Sequence, residues 1–408
     1  GYAEADFSTL LTHLTTISIF IWPIQHLKII IFGCFVMVFS IFVYEINNYF
    51  SGMKVERILK NTLIDQLHSG KAIVLIGPRQ VGKSTLINDI LKQEDFLFLD
   101  GDDFLVQQQL SEPNSSYLKR LIGDKKIVFI DEAQRIKNIG ITSKIIIDQF
   151  KDVQLLLSGS SDFELNHEIN EPLTGRKWEY NMYPISFEEL EKTIGFSEVS
   201  KQLEQRIIYG MYPDVLNHPG KEKEVLENLI NSYLYKDILM LSGIKKTDVL
   251  QKLTQALALQ IGNEVSYNEL AQLIGVNKET ISSYIDLLEK AYVLFRVNPF
   301  SRNLRNEIKT NRKIYFYDTG LRNALIANYN SLDLRIDKGA LWENFLISER
   351  IKYLKYNKRY AKTYFWRTAQ QQEIDWIEEI DGKITAYEFK WKSKNKVKFP
   401  QKFIDAYQ

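Results

Sequence analysis

Short apolar runs alternate with stretches of helical period through the first half of the chain. "KAIVLIG" (Lys71 to Gly77), "FLFLDGDD" (Phe96 to Asp103), the run Ile127 to Ile130 and "VQLLLSGSS" (Val153 to Ser161) are dense in Ile, Leu, Val and Phe. That is the composition of strands buried on both faces. Segments such as "STLINDILK" separate them and repeat their apolar residues at helical spacing. The alternation predicts an α/β fold built on a parallel, doubly wound sheet. Ligands of such a sheet bind at the carboxyl ends of its strands, which is where these runs turn polar.

Further along, the pattern becomes helical. "EQRIIYGMYPDVL" and "LENLINSYLYKDILML" read as a helical subdomain in which Leu229, Tyr233, Lys236 and Asp237 fall at packing positions. In "SYNELAQLIGVNKETISSYIDLLEKAYVLFRV", Ser266 can cap a helix from Tyr267 to Ile274. "GVNK" makes a turn, and Glu279 to Lys290 makes a second helix with Ile281, Tyr284, Ile285 and Leu288 on one face. "VLFRVNPF" and "RKIYFYDTGL" then supply two strands of a wing, so the unit reads as a winged helix-turn-helix. The second helix is not basic, because Glu279, Asp286 and Glu289 oppose Lys278 and Lys290. The wing connection is basic: Arg302, Arg305, Lys309, Arg312 and Lys313 face only Glu307. Contact with DNA phosphates and packing against protein are both open readings of this unit.

The first fifty residues fit neither pattern. From Phe7 to Tyr44 the only formal charge is Lys28, and the run Ile29 to Tyr44 has sixteen residues without charge. A spanning helix wants roughly 20. Residues 17–44 thus read as a membrane anchor, as a buried or surface helix, or as an extension upstream of a start at Met53. If they span, Lys54, Arg57 and Lys60 place the remainder of the chain on the cytoplasmic side. The expected location is the cytoplasm, with a membrane-anchored form as the alternative. The single cysteine, Cys34, excludes an internal disulfide. Lys and Arg total 52 against 51 for Asp and Glu, so no global field draws in nucleic acid.

One segment carries specific chemistry. Gly77-Pro78-Arg79-Gln80-Val81-Gly82-Lys83-Ser84, with Thr85 next, matches G-x-x-x-x-G-K-[ST] between a strand and a helix. The glycines let backbone N–H groups turn toward phosphate oxygens, and the helix start adds its positive end. Lys83 can reach the β- and γ-phosphates of ATP, and the Ser84 hydroxyl can join a Mg²⁺ shell. Asp131 and Glu132 close the third apolar run. Asp131 is a candidate Mg²⁺ ligand and Glu132 a candidate base for the attacking water. Ser158 and Ser160 are candidates to sense the γ-phosphate.

The order "GPRQVGKST", "FIDEAQ", "LLLSGSS", "LTGRKWEYNMYPISFEEL", "YGMYPDV" and "YLYKDI" resembles a prokaryotic family of AAA+-like ATPases with a C-terminal domain of unknown function, DUF4143. The resemblance covers about Met53 to Gln408. It implies an AAA+-type core, ATP and Mg²⁺; AAA+ relatives often form rings, which leaves a homo-oligomer open, with no interface signal in the chain itself. Arg176 matches a family arginine that could act as a phosphate sensor or finger; a surface arginine is the other reading.

The last segment, "YFWRTAQQQEIDWIEEIDGKITAYEFKWK", reads as strands joined at Asp381-Gly382, a strong hairpin signal. Glu388 and Lys390 then share one strand face, with Asp375 on the partner strand and Glu343 on a preceding helix. Glu343, Asp375 and Glu388 could bind Mg²⁺, while Asp375, Glu388 and Lys390 could act on a scissile phosphate. The arrangement resembles PD-(D/E)xK nucleases, though hairpins also pair Glu with Lys routinely. Seven lysines lie between Lys383 and Lys402 with one acid, Glu388, a basic footprint suited to DNA.

The expected domains are an apolar extension (1–52), an AAA+-like core (53–198), a helical subdomain (199–245), a winged helix (246–330) and a restriction-endonuclease-like α/β domain (331–408). Two functions fit. One is ATP hydrolysis coupled to DNA binding or Mg²⁺-dependent DNA cleavage. The other is an ATP-driven switch or scaffold for a protein partner, with an inactive nuclease-like domain.

Overall fold

The computed structural model describes residues 52–112, 114–160, 169–231, 234, 247–301, 312–368, 370–391 and 399–407. The apolar run at 17–44, the wing connection 302–311, and Tyr233, Lys236 and Asp237 lie outside these residues. Among the described residues no helix is long and apolar enough to cross a membrane.

Five strands build the first sheet: β1 (Ala72–Ile76), β2 (Phe96–Asp100), β3 (Ile127–Asp131), β4 (Gln154–Gly159) and β5 (Lys177–Asn181). All run parallel in the order β2-β3-β4-β1-β5. Burial explains the order. Every residue of β1 and β4 is buried, as are Ile127 to Ile130 of β3, whereas β2 and β5 carry half-exposed and exposed residues suited to edges. Because β4 lies between β1 and β3, three strand ends meet. The Gly77 N–H donates to the Gly159 carbonyl at 3.2 Å.

Local chemistry starts the surrounding helices. Asp103 accepts from the Leu105 N–H (2.7 Å) before Phe104–Ser111. Asn114 caps Ser115–Ile122, and Ser186 with Glu189 forms a capping box for Phe187–Ile194. The next helical region includes Phe196–Tyr209, Pro213–Asn217 and Glu222–Leu229. It docks on the helix Thr319–Leu325, whose Asn323 amide donates to the carbonyls of Ile207 (3.2 Å) and Ile208 (2.8 Å). Buried Asp318 caps that helix by accepting from the Leu321 N–H (3.0 Å), and its other oxygen accepts from the Met211 N–H (2.7 Å). Gly210 is required here, with φ +78°, because a Cβ would lie 2.0 Å from the Asp318 carboxylate.

The helices Tyr267–Ile274 and Lys278–Lys290 form around a turn at Gly275 (φ +81°), the first with the expected cap, Ser266, and the second capped by Asn277. Six more strands complete the chain: β6 (Glu264–Val265), β7 (Leu294–Pro299), β8 (Arg312–Phe316), β9 (Lys362–Arg367), β10 (Glu373–Ile380) and β11 (Lys383–Tyr387). They form one sheet in the order β11-β10-β9-β7-β8-β6. Only β7 and β9 pair in parallel, through Asn298↔Tyr364 and Pro299↔Phe365. Strands on either side of the expected 330/331 boundary thus share one sheet. The β10–β11 turn places Asp381 at φ +50° and Gly382 at φ +79°, the two positive angles of a type I′ turn. The long helix Lys338–Tyr356 packs Ile347 and Leu354 against Phe295, Val297, Tyr315, Phe365 and Trp376.

Candidate functional site

The phosphate-loop residues stand where β1 ends. Gly82 (φ +92°) and Gln80 (φ +61°) turn the loop before the helix Lys83–Ile90 begins. Gly77 leaves room for the neighbouring chain, since a Cβ there would meet the Met182 carbonyl at 2.0 Å. Pro78 and Val81 are buried, Arg79 and Ser84 are half-buried, and Gln80 and Thr85 are exposed. Lys83 is buried, and its ammonium donates to the carbonyls of Gly77 (2.8 Å) and Pro78 (3.0 Å). Burial lowers the Lys83 pKa to about 8; Glu132 and Asp131 pull it up in part, and Arg79 lowers it further.

That coupling places the acidic pair beside the lysine. The Ser158 hydroxyl and the Glu132 N–H (3.1 Å) both donate to one oxygen of Asp131. Glu132 takes a left-handed backbone (φ +44°), and its carbonyl lies where a Cβ on Gly101 would clash, at 2.4 Å. Gln134, not singled out from the sequence, ties the site together. Its amide donates to Glu132 Oε2 (2.5 Å) and to the Ser160 hydroxyl (2.9 Å), while its own Oε1 is buried with no hydrogen-bond partner. An unfilled acceptor beside hydroxyl and carboxylate oxygens fits a site that takes water and a hard cation such as Mg²⁺.

Arg176 requires a correction. It directly precedes β5, and Ala72 pairs with Lys177, so it lies at the opposite end of the sheet from the phosphate loop. Six residues at ~3.3 Å each separate the two levels by roughly 20 Å. Its Nε donates to Asp148 at 2.8 Å, so it reaches no phosphate bound by this loop.

Arg57, expected as a charge flanking the N-terminal run, is instead buried at the centre of a network. Its Nη1 donates to the Val81 carbonyl (2.7 Å), its Nη2 to the Tyr183 carbonyl (2.6 Å) and to the Tyr356 hydroxyl (3.3 Å), and its Nε to Glu189 (3.1 Å). Burial opposes its charge, but Glu189 and then Tyr356 outweigh that, and its pKa rises. One guanidinium thus touches the phosphate loop and the last turn of the helix Lys338–Tyr356. The Tyr356 ring in turn packs against Tyr183, which also meets the rings of Tyr292 and Tyr317.

The second candidate centre is assembled differently from its expected form. β11 ends at Tyr387, so Glu388 and Lys390 leave the strand. The cause is local: buried Asp375 takes the Phe389 N–H (2.7 Å). Glu343 accepts from Tyr315 and from the Lys313 ammonium (3.1 Å), and Lys313 also pairs with Glu373. Lys313, read from the sequence as part of the basic wing connection, is only 1% exposed. Glu388 pairs with Lys390. Burial, then Glu343 and Glu388, push the Asp375 carboxyl up to about 7, against the pull of the Phe389 N–H and Lys313. Each member of the expected Mg²⁺ trio therefore holds a separate partner. Among the described residues no group of three His, Cys, Asp or Glu is gathered to hold a metal ion.

On the helix Lys278–Lys290, Asp286 and Glu289 both bind Arg296 of β7, at 2.6 and 2.7 Å. These acids therefore serve packing against the sheet.

Residues 69–191 match the AAA domain model, residues 200–333 the domain of unknown function DUF8612, and residues 338–408 the domain of unknown function DUF4143. An uncharacterized protein of Mycobacterium tuberculosis is 26% identical over 329 residues, 79% of this chain and 71% of its own. One from Haemophilus influenzae is 28% identical over 283 residues, 63% of this chain and 70% of its own. A solved Walker-type ATPase of Pyrococcus abyssi is 16% identical with a TM-score of 0.48, covering 67% of this chain and 96% of that one. The chain joins an AAA domain of the P-loop ATPase type to a carboxy-terminal DUF4143 domain.

Proposed function

We propose that this chain hydrolyses ATP and relays its nucleotide state to the carboxy-terminal part. One observation carries the reading: the Arg57 guanidinium holds both the Val81 carbonyl and the Tyr356 hydroxyl. The carbonyls of Gly77 and Pro78 now occupy Lys83. ATP phosphates would take that ammonium from them, while the loop N–H groups receive the remaining oxygens. Glu132, positioned by Gln134, orients the attacking water and accepts its proton. Ser84 and Asp131 are the residues to hold Mg²⁺, which when bound neutralises charge developing on the phosphates. Reshaping the loop moves the Val81 carbonyl, and Arg57 transmits the change to Tyr356. The test is ATP turnover of the full chain with Mg²⁺, with and without single- and double-stranded DNA. Turnover that Lys83→Ala abolishes supports the assignment; unchanged turnover in that variant removes it.

A second reading, Mg²⁺-dependent DNA cleavage by Asp375, Glu388 and Lys390, draws support from the raised Asp375 pKa. A buried carboxyl crowded by two others is relieved by a divalent cation. Cleavage that survives Asp375→Ala would exclude this centre.

A further inference from the structure

A cleft of about 840 Å³ opens between the edge strand β5, the second sheet at Phe295 and Arg296, and the segment 355–363 that ends the long helix. Its chemistry is one-sided. Lys355, Lys358, Arg359 and Lys362 line it, all exposed, and no acid occurs from 355 to 362. The two acids in the lining are already engaged: Glu179 with Lys177 (2.5 Å) and Glu289 with Arg296 (2.7 Å). A further cation, Lys71, sits 4.2 Å over the Trp178 ring. Among these charges two aromatic side chains are open to solvent, Trp178 at 39% and Tyr360 at 88%.

We propose that this cleft seats single-stranded nucleic acid, its phosphates on the four cations and unpaired bases on Trp178 and Tyr360. Cations beside solvent-exposed aromatic rings are the combination that strand-binding grooves use, and Lys71 over the Trp178 ring adds a cation beside that platform. A duplex hides its base faces and would leave both rings idle. An acidic peptide would use the cations without the rings. The site is separate from the phosphate loop, so it is measured without nucleotide, and its failure leaves the ATP reading untouched.

Fluorescence anisotropy of labelled oligo-dT with the full chain tests the inference. Binding should weaken with salt at a log–log slope of about −3, from roughly four phosphates at ~0.7 each. Lys358→Glu with Arg359→Glu should lower affinity at least about tenfold and flatten the slope. Trp178→Ala with Tyr360→Ala should cost at least about thirtyfold at an unchanged slope, because two stacked bases are lost and stacking releases no counterions. If the first pair loses its thermal transition, Lys355→Glu with Lys362→Glu reads the same charge effect. Affinity unmoved by these substitutions overturns the proposal. So does poly-glutamate that displaces the probe as well as unlabelled oligo-dT, which would assign the cleft to an acidic peptide.

Discussion

Arg57 and Tyr356 are 299 positions apart in sequence and 3.3 Å apart in the fold. The Tyr356 hydroxyl also accepts from the Tyr183 N–H at 3.1 Å. Tyr356→Phe therefore strands two buried donors while preserving shape. It should destabilise the protein by ~1–3 kcal/mol, read by urea denaturation, and change ATP turnover although residue 356 lies in another part of the chain. Native turnover in a folded Tyr356→Phe protein would sever the proposed relay.

Glu132 shares Gln134 with Ser160. Glu132→Gln should keep ATP affinity and lower turnover by ~10²–10⁴-fold. Equilibrium binding of a fluorescent ATP analogue, beside steady-state phosphate release, separates the two effects.

The Lys83 pKa of about 8 gives nucleotide binding a pH signature. The protonated amine binds phosphate, and below pH 8 it is already protonated. Above pH 8 binding must take up a proton, so ATP affinity should fall by up to about tenfold per pH unit. Isothermal titration in buffers of different ionisation enthalpy would detect that proton uptake.

Most of the first sheet could be read directly from the chain. Four apolar runs became β1 to β4, and the phosphate loop and the hairpin at Asp381-Gly382 formed where their glycines and flanking runs required. Local signals suffice for such features because backbone angle and burial decide them. The position of Arg176 was also derivable: a residue just before a parallel strand lies opposite the strand ends that bind ligand. Arg57, Gln134 and Lys313 were not legible in the same way. Each acquires its role from partners distant in sequence, and nothing in "VERI" or "RKIY" distinguishes a buried cation from a solvated one. The ladder break at Glu388 is not legible in the sequence because it depends on a side chain, Asp375, taking a backbone N–H.

Asp375 predicts a second pH dependence. Its folded pKa, about 7, exceeds the unfolded value near 4, so the folded state holds an extra proton between them. Stability should fall as pH rises from ~4 to ~7, at most by ~1.4 kcal/mol per unit. Asp375→Asn should flatten this slope in urea titrations. If the centre takes Mg²⁺, the ion should restore wild-type stability at pH 8 and leave Asp375→Asn unchanged.

Gly210 offers a structural test independent of any ligand. Alanine there meets the Asp318 carboxylate at 2.0 Å and is held at φ +78°. Backbone strain and overpacking together should cost ~2–4 kcal/mol, visible as a lower thermal midpoint. A wild-type midpoint would mean that the helical region does not dock through Asp318.

The sheet shared by β7 and β9 has a practical consequence for anyone dissecting this protein. A fragment ending before Lys338 loses β9 and bares one flank of β7, an open hydrogen-bonding edge that recruits foreign strands. Such a truncate should precipitate or pair with itself, so the carboxy-terminal portion cannot be exchanged between relatives as a detachable cassette.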